Sequence, residues 1–203
     1  MPTPPKVRLA TRADLPAIGR ALAGAFRDDP VWRWMAPESR RWTELAARWF
    51  EAEVRGQLGG HGLVWVDEDV SGAAVWVSPK HWRSTTRETL RMAVPSIRFL
   101  RSGLLRGMNT VSVLEKAHPT DEHWYLSLLG THPDAQGRGV GSALLAPLLD
   151  RADTEGLPAY LESSKKANLA FYGRHGFVTS GEPIRPGDGP PLFPMWREPR
   201  TPG

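Results

Sequence analysis

At 203 residues, with 40% hydrophobic and 24% charged residues, the chain has the composition of a single globular domain spanning 1–203 around one continuous core. The absence of cysteine removes disulfides, thiolate metal sites and cysteine nucleophiles together. The formal net charge of +4 rests on scattered, mostly arginine residues with no run of five. A solvated surface is therefore expected rather than a nucleic-acid face, and a polyanionic small ligand stays compatible.

The first residues, Met1-Pro2-Thr3-Pro4-Pro5-Lys6, lack the roughly 7–15-residue apolar region of a signal peptide, and no segment approaches the ~18 apolar residues of a membrane span. A cytoplasmic protein without a membrane partner is expected. Val7 to Ala10 alternates as a strand, and Thr11-Arg12-Ala13-Asp14 has capping-box spacing. Leu15, Ile18, Leu22 and Phe26 follow at helical spacing, with Asp28-Asp29-Pro30 expected to stop the helix. A second helix is predicted from about Trp42 to Leu58. Leu63–Val66 and Ala73–Val77 read as a hairpin closed by Pro79. From His81 to His118 the pattern is loosely helical and broken at Pro95, Gly103 and Gly107.

Tyr125 to Gly130 reads as a buried strand leading into a glycine-rich turn, then a helix with Leu144, Leu145, Leu148, Leu149 and Ala152 on one face and Pro147 as a weak point. Ala159–Ser163 is a strand, Asn168–His175 a short helix with Gly176 at its C-cap, and Phe177–Thr179 a further strand. Pro183 to Pro199 reads as a loop and a terminal strand. Alternating strands and helices favour an α/β or mixed sheet with helices on its faces.

Gln136-Gly137-Arg138-Gly139-Val140-Gly141 lies between a buried strand and a helix. Glycines there let backbone approach a ligand, and the free N–H groups and dipole of the helix attract an anion such as a pyrophosphate. An ordinary strand-to-helix turn is the plain alternative. The dinucleotide fingerprint fails because Ser142 occupies its third glycine position, and a P-loop is excluded because the chain has no Gly-Lys pair. No G-x-S-x-G occurs, which disfavours a serine hydrolase.

The same six residues match the Q/R-x-x-G-x-G/A signature of the GNAT acetyltransferases. Asn168, Tyr172 four residues later, and Gly176-Phe177 resemble that family's later segment. Val7 to Arg12, Ala74-Val75-Trp76, and Trp124 through Phe177 resemble its puromycin N-acetyltransferase-like subgroup. The likeness fades over Trp32–Leu58 and His81–Pro119, the stretches expected to shape an acceptor site. The resemblance implies a GNAT-type mixed, mostly antiparallel twisted sheet with helices on both faces. It also implies acetyl-CoA as co-substrate and direct transfer of acetyl to a primary amine of a small molecule.

On that resemblance, Leu129, Gly130 and Thr131 would pair with the pantetheine arm and polarise the thioester, while Gln136 to Ser142 and Asn168 would hold the rest of the donor. Tyr172 is the candidate general acid and Glu162 the candidate base, with His123 and His132 as alternatives to the latter. Packing is the plain reading of Tyr172, a structural carboxylate that of Glu162, and a helix cap that of Asn168. Trp32, Trp34, Trp42 and Trp49 cluster in the divergent early region. Each is a core residue by default, but Trp32 and Trp34 are candidates for an aromatic acceptor wall. No metal is expected, because the six histidines show no ligand spacing. Acetylation of a protein N-terminus or lysine, a silent acyl-CoA-binding module, and a homodimer remain open.

Overall fold

The computed structural model describes residues 5–200. The apolar strand segments become β1 (Val7–Leu9), β2 (Gly62–Asp67), β3 (Gly72–Val77), β4 (Trp124–Thr131), β5 (Ala159–Ser163), β6 (Val178–Thr179) and β7 (Phe193–Arg197). They form one sheet in the order β1-β2-β3-β4-β5-β7-β6. Every junction is antiparallel except that of β4 with β5.

Helices cover both faces because neighbouring side chains on a strand point to opposite sides. Ala73 and Val75 of β3 join one core cluster, Ala74 and Trp76 the other. The first takes in Leu15, Ile18 and Leu22 of α1 (Leu15–Ala25) and Ala46, Phe50 and Val54 of α3 (Trp42–Leu58). The second takes in Leu144, Leu145 and Leu148 of α6 (Val140–Glu155) and Tyr172 of α7 (Leu169–Arg174). Burying each such leucine contributes about 1.5–3 kcal/mol relative to leaving it in water. Arg197 of β7 locks α6 to the sheet through paired bonds of 2.7 and 2.6 Å to Asp153.

Two local expectations are corrected. Asp28-Asp29-Pro30 does not end α1, which stops at Ala25; it opens α2 (Pro30–Met35), whose first N–H groups, on Val31 and Trp32, donate to Asp29 Oδ1 at 3.0 and 3.2 Å. Proline suits the first helical position, where its missing N–H has no partner to lose. Pro95 and Gly107 do not break the 81–118 stretch, which folds as α4 (Thr86–Leu100) and α5 (Leu104–Ala117). Only Gly103 of the three marks a boundary. A Cβ there would lie 1.7 Å from the Met35 carbonyl oxygen, so close contact with the end of α2 requires glycine. Pro147 lies within α6 without ending it.

Candidate active site

The parallel pairing of β4 and β5 covers only Trp124 with Ala159 and Tyr125 with Tyr160. Beyond Tyr125, β4 continues to Thr131 paired with β3 alone, across a register shift at Val75/Trp76. One edge of its later half therefore turns its backbone groups toward a cavity of about 1240 Å³. Leu129, Gly130 and Thr131 line that cavity, as do Leu161, Glu162 and Ser163 on the diverging β5.

The glycine turn closes the same cavity from the end of β4. Gly137 and Gly139 have φ of +77° and +82°, a left-handed backbone that side chains disfavour. Beside a Cβ at Gly137 there is nothing within 4 Å, and at Gly139 only Pro5 Cδ at 3.7 Å, so the turn presents open backbone. Gly139 is the N-cap of α6, leaving the N–H groups of Val140, Gly141 and Ser142 without helical acceptors. Gln136 donates to the Thr131 carbonyl at 3.0 Å and ties the turn to the strand. Gln136, Gly137, Gly139, Val140, Gly141 and Ser142 line the cavity, with Lys165 and Arg174 on its wall, while Arg138 faces a separate shallow depression. A 16-residue helix dipole, free N–H groups and two cations suit the phosphates of an extended ligand. The unpaired β4 edge suits an arm that takes strand-like hydrogen bonds. These residues fit a coenzyme A thioester.

Asn168 stands at the N-cap position of α7, is exposed to the cavity and makes no capping bond with its side chain. Tyr172, one helical turn later, is buried and lines the cavity. Burial, and then the Asp29 carboxylate, hold its phenol well above a tyrosine's ordinary pKa, so it stays protonated. Asp29 is itself buried, caps α2 and accepts the Ser164 hydroxyl beyond β5, which ties α2 to the cavity side of the sheet.

Deeper in the cavity lies a buried acid–base cluster. The side chains of Glu162 and His118 are each 3% exposed, with His118 Nδ1 at 3.6 Å from Glu162 Oε1. Tyr125 donates its phenol to Glu162 Oε2 at 2.8 Å; burial first, then the Glu162 charge, push that phenol far up. His118 Nε2 meets His123 Nε2 at 3.0 Å, and His123 Nδ1 meets the Asp121 carbonyl at 2.6 Å. Burial holds His123 below the ordinary imidazole value. His132 lies elsewhere, on the shallow depression next to Asp134.

The remaining wall is aromatic. Trp32 and Trp49 line the cavity edge to face, with centroids 4.8 Å apart, and Trp49 Nε1 donates to Ser96 Oγ at 3.0 Å. Trp34 is not on that wall: residues two apart on a helix point about 200° apart, and Trp34 packs instead beneath the Arg106 guanidinium. Trp42 is fully buried in the core. Glu53, one turn from Trp49, also lines the cavity; burial raises its pKa, and Gln57 donates to it at 3.1 Å.

His118, Tyr125, Asp29 and Glu53 were not legible as site residues. Of these only Glu53 carries a sequence signal, since Trp49, Glu53 and Gln57 form a stripe at four-residue spacing beside the apolar stripe Ala46, Phe50 and Val54.

The model of the acetyltransferase (GNAT) family matches residues 102–177. An uncharacterised N-acetyltransferase of Schizosaccharomyces pombe is 29% identical over 201 residues, 93% of this chain and 81% of its own. A Corynebacterium glutamicum structure described as histone acetyltransferase HPA2 and related acetyltransferase is 28% identical with a TM-score of 0.74, covering 98% of this chain and 99% of its own. The mycothiol acetyltransferase of Streptomyces coelicolor is 39% identical over 67 residues, 32% of this chain and 22% of its own. No helix among the described residues is long and apolar enough to cross a membrane. The split sheet and the glycine turn agree with these likenesses: the chain has the mixed α/β GNAT fold, and its residues 102–177 match the acetyltransferase (GNAT) family.

Proposed function

We propose that the enzyme transfers acetyl from acetyl-CoA to the primary amine of a small aromatic or antibiotic-like molecule in the cytoplasm, as the resemblance to the puromycin subgroup implies. The observation that carries this reading is the single cavity that joins an anion-binding glycine turn, a strand edge, a protonated tyrosine and an aromatic wall holding a carboxylate. Bound acetyl-CoA supplies the activated acyl group. Backbone N–H groups of the Leu129–Thr131 segment stabilise the carbonyl oxygen as charge develops on it. Glu162 accepts the proton that the acceptor amine must lose, and Tyr172 gives one to the departing thiolate.

The cavity wall supports an aromatic acceptor. Trp32 and Trp49 line the wall, and each aromatic pair adds about 0.5–1.5 kcal/mol beyond burial. Phenethylamine-like amines should therefore exceed polyamines and an N-terminal peptide in kcat/KM, by roughly tenfold for every 1.4 kcal/mol of added contact. Thiol release from acetyl-CoA with these acceptors and puromycin provides the measurement. A preference for polyamine or peptide, with every aromatic amine refused, would overturn the acceptor assignment and leave the acetyltransferase standing.

A further inference from the structure

The contacts around His118 determine where its protons sit. A neutral imidazole carries one N–H and one bare nitrogen, and the partner of one nitrogen decides the state of the other. His123 Nδ1 faces the Asp121 carbonyl at 2.6 Å, an acceptor with nothing to donate, so Nδ1 carries the proton and His123 Nε2 is bare. His118 Nε2, at 3.0 Å from that bare nitrogen, must then be the donor. Neutral His118 accordingly presents a bare Nδ1 to Glu162 Oε1 at 3.6 Å.

Two acceptors thus face each other at a distance too long for a hydrogen bond. Glu162 Oε1 is buried and has no hydrogen-bond partner among the described residues. The other carboxylate oxygen, Oε2, already accepts from Tyr125. Trp82 stacks on the His118 ring at 3.9 Å, and Tyr125 and Tyr160 meet it edge to face at 4.8 and 5.0 Å, which packs the ring on several sides. One added proton would join Oε1 and Nδ1.

We propose that Glu162 and His118 form one base, with the proton leaving the acceptor amine held between Glu162 Oε1 and His118 Nδ1. His123 and the Asp121 carbonyl are positioning groups that fix the His118 tautomer. This rests on the reading of Glu162 as the base. The balance is simple: the amine nitrogen bonds to the acyl carbon, the carbon–sulfur bond breaks, one amine proton passes to the Glu162–His118 pair, and Tyr172 protonates the thiolate. The titratable groups around His118 are Glu162 and Tyr160 from β5, Tyr125 from β4 and His123 just ahead of it, with Glu53 of α3 acting on Tyr125 through its charge.

The test joins ¹⁵N NMR of the histidines with kinetics. In the wild type at neutral pH, His118 should show the Nε2–H tautomer and gain its second proton at Nδ1 on acidification. An Nδ1–H tautomer at neutral pH would overturn the proposal without recourse to any variant. His118→Asn should lower kcat about 10²-fold, the usual scale of lost general-base assistance. It should also move the acid side of the pH–rate profile while leaving the KM for acetyl-CoA unchanged. If Glu162→Gln is inactive while His118→Asn keeps both the wild-type kcat and pH profile, the shared base is wrong and Glu162 acts alone. If Glu162→Gln turns over like the wild type, the reading of Glu162 as the base fails instead.

Discussion

Tyr172, the proposed general acid, shows how a residue's surroundings fix its protonation state. Its phenol is buried and lies near the Asp29 carboxylate, and both raise its pKa above the ordinary tyrosine value. A raised acid is fully protonated below that ordinary value, so Tyr172 remains a proton donor throughout an assay range up to about pH 9. Tyr172→Phe should lower kcat by about 10²–10⁴-fold and leave acetyl-CoA affinity nearly unchanged, because the ring still packs while the donor is gone. Steady-state kinetics beside equilibrium binding separate the two effects. Unchanged turnover, with chemistry rate-limiting, would reduce Tyr172 to a packing residue of the second core cluster. Any alkaline fall in kcat/KM below pH 9 is predicted to survive in this variant, since the tyrosine does not titrate there.

At the scale of elements, the parts of the site that depend on short-range pattern were legible. β5, the glycine turn and the Asn168–Tyr172 segment each occupy a few consecutive residues whose spacing carries their geometry. Elements that depend on distant contacts were not. Asp29-Pro30 reads as a stop, whereas in the fold Asp29 caps α2 and also accepts a hydrogen bond from Ser164, 135 residues away. α5 looked broken at Gly107 because that glycine serves packing: a Cβ there would lie 2.6 Å from Leu100 Cδ1. Asp29→Ala tests the cap. Losing a side-chain cap costs typically about 1 kcal/mol and up to about 2. That corresponds to roughly 2–4 °C in Tm per kcal/mol for a chain of this size. Because Trp32 sits in the first turn of α2, the KM for an aromatic acceptor should rise while that for acetyl-CoA stays constant. A melting point and acceptor KM equal to wild type would show that α2 is positioned by its packing alone.

Across the whole molecule, the site exists because one sheet is divided. Antiparallel pairing holds β1 to β4 on one side and β5 to β7 on the other, and the short parallel junction at Tyr125 and Tyr160 lets the two halves diverge. The β2–β3 hairpin and the alternation of strands and helices followed from the sequence, but the strand order and the length of that junction did not, because pairing across 35 residues has no local signature. The same divergence brings His118, from the end of α5, against Glu162 of β5. Residues of β4, α6 and α7 and residues of α2, α3 and α4 thereby meet in one cavity. The central claim is that acetyl-CoA binds with its phosphates on the Gly137–Gly141 backbone. Titration calorimetry of acetyl-CoA into wild type and Gly139→Glu tests it most directly. At a φ of +82° beside the free N–H groups of α6, glutamate brings backbone strain, bulk and like charge. The account predicts saturable binding to the wild type and none to a folded Gly139→Glu, and normal binding by that folded variant would contradict it.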